Sequence, residues 1–159
     1  MNLIVDASVV VKWLMPEQGS DRAAELMRLP LSAPDSLVPE CLNALRKKVL
    51  RRELTQDAAV DAAQLLSVAG ITLESTQPFA ADILVLSMQL SLPAYDCAYL
   101  ALARRREGVL ITADARLVAR CRQPDAAELG VQVRALQEEG LMVQERAFRP
   151  YMARRAVPA

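Results

Sequence analysis

Four acids stand where they could share one piece of chemistry. Asp6 directly follows the apolar run Leu3-Ile4-Val5, and Asp114 comes two residues after a second such run, Val109-Leu110-Ile111-Thr112. Glu40 and Asp96 fall near the starts of stretches with helical periodicity, Glu40 behind Leu37-Val38-Pro39 and Asp96 behind Pro93-Ala94-Tyr95. Carboxylates are the usual ligands of hard divalent cations, Mg²⁺ or Mn²⁺. A cation held this way supplies a nucleophilic water at neutral pH and screens a phosphate during in-line attack. If the four converge they must repel one another, and some must stay protonated unless a cation lies between them. Taken singly, three have a simpler use. Asp96 and Asp114 serve as caps or first-turn acids, and Glu40 answers a helix dipole. Asp6 is harder to explain that way, because an acid at the end of a buried strand must be solvated, capped or paired. Spacing alone leaves both readings open.

Composition narrows the chemistry further. The chain has 159 residues, with Lys+Arg 19 against Asp+Glu 19, and no histidine. That excludes Ser-His-Asp and Cys-His catalysis, Cys/His zinc fingers and histidine-held haem. A general base or metal ligand must be a carboxylate, a thiolate, a lysine or a tyrosine. Hydrophobic residues at 53% and charged residues at 24% fit one ordinary folded domain, long enough to bury a core. Zero net charge speaks against a uniformly basic coat and leaves local patches open. Cys41, Cys97 and Cys121 form no CxxC and read as reduced, buried thiols. The segment Met1-Asn2-Leu3-Ile4-Val5-Asp6 lacks the basic start of a signal peptide. No apolar stretch reaches the roughly 18 residues of a membrane helix. A cytoplasmic location and no membrane partner are the expectation.

The elements that must position these acids alternate in type. Strands are expected over 3–5, 31–33, 71–73, 109–112 and 131–133. Helices are expected over 7–14, over 20–28 with Ser20 as cap, and from Ser36 through Val49 with Pro39 in the first turn. Others should run from Thr55 to near Gly70, from Pro78 to about Leu90, over 94–106 with Gly108 as the glycine stop, and over 114–122. Strands alternating with helices predict an α/β fold with a parallel sheet. Ligands of such sheets bind beyond the carboxyl ends of the strands, which is where Asp6 and Asp114 fall. Residues 1–140 read as one domain. Residues 141–159, with four arginines, two prolines and weak periodicity, read as a basic, flexible extension.

Four blocks of sequence then resemble one family. They are Val5-Asp6-Ala7-Ser8 with Lys12-Trp13; Pro39-Glu40-Cys41-Leu42-Asn43-Ala44-Leu45; Tyr95-Asp96-Cys97-Ala98-Tyr99-Leu100-Ala101-Leu102-Ala103; and Leu110-Ile111-Thr112-Ala113-Asp114-Ala115-Arg116-Leu117. Each is loose alone, but together and in this order the chain resembles the PIN-domain ribonucleases, most closely the VapC-like toxins of type II toxin–antitoxin pairs. The resemblance implies a three-layer α/β/α sandwich around a short, mainly parallel sheet. It implies an endoribonuclease dependent on Mg²⁺ or Mn²⁺, whose acidic, metal-holding site falls on Asp6, Glu40, Asp96 and Asp114. Ser8 and Thr112 take the supporting hydroxyl positions. A homodimer and a cognate antitoxin protein are implied as partners. Cysteine after Glu40 and after Asp96 departs from the family's usual residues. One helical position is a rotation of about 100°, so both thiols should point into the core.

An acidic site that takes RNA needs basic surroundings. Lys12 and Arg116 lie nearest the acids in sequence and are the expected RNA contacts. Arg46, Lys47, Lys48, Arg51 and Arg52 form one further cluster, Arg104 to Arg106 another, and Arg120 with Arg122 extend a third. Cations also favour helix ends for structural reasons. Aromatic residues make up only 4% of the chain, which offers little for a base-stacking platform. Two other functions remain open at this point: a PIN nuclease of RNA maturation or decay, and a non-catalytic RNA- or protein-binding module.

Overall fold

The computed structural model describes residues 2–138. The extension expected over 141–159 lies outside the described residues. The elements follow in the order β1 (Leu3–Val5), α1 (Ala7–Leu14), α2 (Ser20–Leu26), β2 (Leu31–Pro34), α3 (Leu37–Leu50) and α4 (Gln56–Leu66). Then come β3 (Thr72–Glu74), a 3₁₀ turn (Gln77–Phe79), α5 (Ala80–Leu90), α6 (Ala94–Arg105), β4 (Val109–Thr112), α7 (Ala115–Cys121), α8 (Pro124–Ala127) and β5 (Val133–Ala135).

The five strands form one sheet in the order β3-β2-β1-β4-β5, with every neighbouring pair parallel. The central strands carry no polar/apolar alternation because helices cover both faces. Ile4, Val5, Leu110 and Ile111 are fully buried. Helix α6, with every residue from Cys97 to Ala103 buried, packs across β1, β2 and β4. Helix α1, with Val9, Val10 and Val11 all buried, packs against α2, α3 and β4. The result is a three-layer α/β/α sandwich, as the family resemblance implied. Truncating one of these buried leucines to alanine should cost about 2–5 kcal/mol.

Several details differ from the sequence expectation, each for a local reason. Ser20 does not cap α2; Gly19 holds that position at φ 88°, and the Ser20 hydroxyl instead accepts from Glu17 N and donates to Met15 O. Ser36 precedes α3, but its hydroxyl makes no capping bond to the helix's first amides. Thr55 does cap α4, accepting from Ala58 N at 3.2 Å. Gly108 is not the left-handed residue that ends α6. Glu107 takes that conformation at φ 49°, and the amides of Glu107 and Gly108 close back on Arg104 O and Ala103 O. Gly108 is needed for a different reason: a Cβ there would strike the carbonyl of Asn2, just ahead of β1. Strands β3 and β5 sit one and two residues later than expected, at the two edges of the sheet, where pairing on one side only leaves register less constrained. Among the described residues no single helix is long and apolar enough to cross a membrane.

Candidate active site

Strands β1 and β4 are neighbours, and the order of the sheet reverses between them, with β2 beyond β1 and β5 beyond β4. Their register pairs Val5 with Ile111, so Asp6 and Thr112 leave the sheet side by side, and Asp6 N donates to Ile111 O at 3.1 Å. This is the crevice that parallel α/β sheets use for ligands.

Asp6 and Thr112 are the buried polar residues among those described, 8% and 0% exposed. Two hydroxyls hold the Asp6 carboxylate. Thr112 Oγ1 donates to Asp6 Oδ2 at 2.6 Å and Ser8 Oγ donates to the same oxygen at 2.5 Å. Each hydroxyl is oriented from behind by a backbone amide, Asp114 N on Thr112 Oγ1 and Ala113 N on Ser8 Oγ, both at 3.0 Å. With their acceptor sides occupied, both hydroxyls must point their protons at Asp6. Burial pushes the Asp6 carboxyl above its ordinary range, and the Ser8 and Thr112 hydrogen bonds oppose that rise.

The other three acids arrive from helix starts. Glu40 is the fourth residue of α3, and Tyr99 on α6 donates to its Oε1 at 3.1 Å. Asp96 lies in the first turn of α6, whose N-cap position is held by Pro93, so it does not serve as that helix's N-cap. Asp114 caps α7, its Oδ1 accepting from Arg116 N and Leu117 N. All four acids line one cleft of about 890 Å³. Burial raises the proton affinity of Glu40, assisted by the charges of Asp6 and Asp96; the Ser36 and Tyr99 hydroxyls oppose it. Burial raises that of Asp96 too, assisted by Asp6 and Asp114, with Arg116 opposing. Mutual repulsion is therefore part of the geometry, and little within the fold neutralises it. Arg116 reaches Asp114 at 3.5 Å but is 95% exposed.

An all-oxygen donor set, desolvated and self-repelling, suits a hard divalent cation. Among the described residues no group of three or more Asp, Glu or Cys side chains stands close enough together, as placed, to hold a metal ion. A Mg²⁺-type ion that keeps several waters is commonly held through only one or two carboxylates.

The basic residues divide sharply. Arg116 and Lys47 are exposed and line the cleft. Lys12 lines it too, but its ammonium donates to Gln18 O at 2.9 Å and pairs with Glu17 at 3.4 Å, and Glu17 also pairs with Lys48. Lys12 thus secures the loop between α1 and α2. Arg105 pairs with Asp82 and lies over the Phe79 ring. Arg106 grips Glu74 through two nitrogens. Arg120 binds Asp125 and the last carbonyls of α5, and Arg122 pairs with Glu138. Cys41 and Cys97 are fully buried, as expected of thiols turned one position away from the acids.

Tyr99 was invisible to motif reasoning as a site residue, since it reads as core. Its spacing of three from Asp96, on the same helical face, was the available signal.

The family model of the PIN domain matches residues 3–122, and the chain belongs to the PIN-domain family. Within it the likeness is to the VapC type. The chain is 31% identical over 121 residues to Ribonuclease VapC3 of Pyrobaculum aerophilum, covering 74% of this chain and 92% of that protein. Among solved structures, PAE2754 from Pyrobaculum aerophilum superposes with a TM-score of 0.67 at 22% identity, covering 92% of this chain and 98% of that one. Mycobacterium tuberculosis VapC20, described as a sarcin-ricin loop cleaving toxin, gives 0.55 at 17% identity over 74% and 94%. VapBC2 from Rickettsia felis, bound to a DNA fragment from their promoter, gives 0.56 at 10% identity over 85% and 98%. At these identities the structures speak for the fold.

Proposed function

We propose that this chain is a divalent-metal-dependent endoribonuclease and the toxin of a type II toxin–antitoxin pair. The observation that carries the reading is the convergence of Asp6, Glu40, Asp96 and Asp114 on one open cleft, with no fully buried cationic side chain beside them among the described residues. Such a cluster costs the fold stability and is worth keeping for what it binds. The similarity to Ribonuclease VapC3 supports RNA as the substrate class.

Asp6, Glu40, Asp96 and Asp114 would hold a Mg²⁺ or Mn²⁺ ion, which would lower the pKa of a water so that it could serve as nucleophile and would offset charge on the phosphate. The chain's own residues set the geometry. Ser8 and Thr112 fix the Asp6 carboxylate, so this ligand is oriented before anything binds. Tyr99, buried on α6, does the same for Glu40. Asp96 and Asp114 complete the acidic set. Lys47 and Arg116, exposed at the cleft, draw the phosphate backbone towards an otherwise repelling site.

An antitoxin is the partner that fits this role. A partner arginine inserted among the acids would satisfy them with charge-assisted hydrogen bonds and block RNA. The family resemblance supports a homodimer as the working unit. Purified full-length chain should cleave RNA internally with Mn²⁺ or Mg²⁺, stop on addition of a chelator, and lose activity as Asp6→Asn. Cleavage that survives chelator and both Asp6→Asn and Asp96→Asn overturns the metal site. Induced expression without an antitoxin should arrest growth; unimpaired growth would leave a nuclease of RNA processing.

A further inference from the structure

Eleven large hydrophobic side chains are exposed on the described surface, and of these only Tyr95 also lines the acidic cleft. Isolated exposed leucines and valines are ordinary on any protein. An aromatic ring 66% exposed, next in sequence to Asp96 and forming part of the wall of a proposed nuclease site, is a different matter. Of the other aromatic side chains among the described residues, Phe79 and Tyr99 are buried and Trp13 ties its indole to Ala23 O at 2.6 Å. The Tyr95 hydroxyl makes no hydrogen bond to a described residue.

The backbone that presents the ring is stiff. Pro93 occupies the N-cap of α6 at φ −56°, and Tyr95 is the second residue of a helix whose following residues are buried in the core. The ring is therefore displayed by a fixed support, with two side-chain torsions to order, and an aromatic face of this kind loses little entropy when something packs on it. Charge at the cleft sorts the candidates for what that is. Lys47 and Arg116, exposed at the cleft, favour a polyanion over an apolar peptide. A nucleotide chain threading this cleft carries, one step from each phosphate, a flat apolar surface that needs a partner once it leaves a helical stack.

We propose that Tyr95 is a nucleobase-stacking subsite that packs on a base flanking the scissile phosphate. This rests on the ribonuclease reading above and adds to it the side chain that holds that base. It also revises the expectation from composition, because one ring in the right place suffices where an extended platform would need many. Stacking is tolerant of base identity, so the subsite selects for an unstacked nucleotide more than for a sequence.

The test is a double-mutant cycle between protein and substrate. The probe is a short unstructured oligoribonucleotide containing all four bases, with abasic substitutions made one at a time around the bond that wild type cleaves. Tyr95→Ala should raise KM between about 5- and 150-fold, and Tyr95→Trp should restore it. One abasic position should raise the wild-type KM similarly and add nothing to Tyr95→Ala. Holding the flanking base in a hairpin stem should slow wild type and leave the alanine variant less affected. Wild-type KM in Tyr95→Ala, or additive effects at every abasic position, overturns the subsite and assigns the ring to a protein contact. Wild type that cleaves no RNA with Mn²⁺ overturns the nuclease reading itself, and the subsite with it.

Discussion

At its N-terminal end α6 brings Asp96 to a cleft shared with Asp6, Glu40 and Asp114. At its C-terminal end, about 18 Å away along twelve residues, Arg105 and Arg106 border a second cavity of about 530 Å³. Both ends are charged and both suit the helix dipole, with an acid at the start and bases at the finish. They differ in how the charges are answered. Arg106 holds Glu74 through two nitrogens, and Arg105 has Asp82 and the face of Phe79. At the acid end the charges that press on Asp96 are those of Asp6 and Asp114, and the base that opposes them, Arg116, is almost fully exposed. Charge answered within the fold is structural and leaves little for a ligand. Charge left unanswered, at a cost in stability, is where binding is to be sought.

The sharpest way to break this comparison is to neutralise one acid at one end and one base at the other. Asp6→Asn keeps the shape of the most buried member and removes its charge. It should lower RNA cleavage by about 10²–10³-fold or more, the scale set by losing one preorganised electrostatic group. Arg106→Ala should leave cleavage with Mn²⁺ at the wild-type rate. Equal losses at the two ends would mean that neither is special.

A smaller effect should follow from Thr112→Val, which preserves volume and removes the hydroxyl that donates to Asp6 at 2.6 Å. The carboxylate keeps Ser8 as a donor, so the site loosens and does not collapse. The Mn²⁺ concentration for half-maximal activity should rise about 10–100-fold, with activity returning at saturating metal. A drop in activity that metal cannot recover would place Thr112 in the chemical step and not in holding Asp6.

How much of this was legible in the sequence depends on which physical rule governed each residue. Asp6 could be singled out because a carboxylate after Leu3-Ile4-Val5 has no cheap explanation. Asp114 could not be separated from a cap, and the structure shows why: it caps α7 and lines the cleft at once. The inner elements were readable to within a residue, since burial on both faces makes them continuous apolar runs. The edge strands β3 and β5 slipped, because a strand paired on one side leaves a weaker trace. Gly108 was read as a helix stop by the commonest rule for glycine. The contact that demands it is with Asn2, across more than a hundred residues of sequence, and no local pattern carries that. Tyr99 shows the same limit, since a residue that looks like core supports Glu40, and local pattern gives no hint that Lys12, which does line the cleft, also holds Glu17 and Gln18.

The cost of the acid end should itself be measurable without any RNA. Asp96 has its proton affinity raised by burial and by its acidic neighbours. A carboxyl raised in the folded state favours folding while protonated, and that contribution is lost as pH rises through its folded-state value. Metal-free wild type should therefore be less stable than Asp96→Asn at pH 7. The gap in Tm should close as pH falls through the raised carboxyl range, and added Mn²⁺ should close it from the other side by stabilising wild type alone. A gap independent of both pH and Mn²⁺ would mean that Asp96 is not under strain.

The smallest effect expected is none at all, and it separates openness from proximity. Cys41 and Cys97 each follow a cleft acid by one residue, and burial first, then the adjacent carboxylate, pushes both thiols up to about 12. Glu40 and Asp96 are pushed in the same direction by burial and then by neighbouring carboxylates, yet they face an open cleft while the thiols are fully buried. Thiolate is the reactive form, so at pH 8 neither cysteine should react with iodoacetamide in the folded protein, with or without Mn²⁺. Both should react once the chain is unfolded in guanidinium. Rapid native labelling of Cys97 would show that the first turn of α6 opens, and the fixed platform assigned to Asp96 and Tyr95 would then have to be given up.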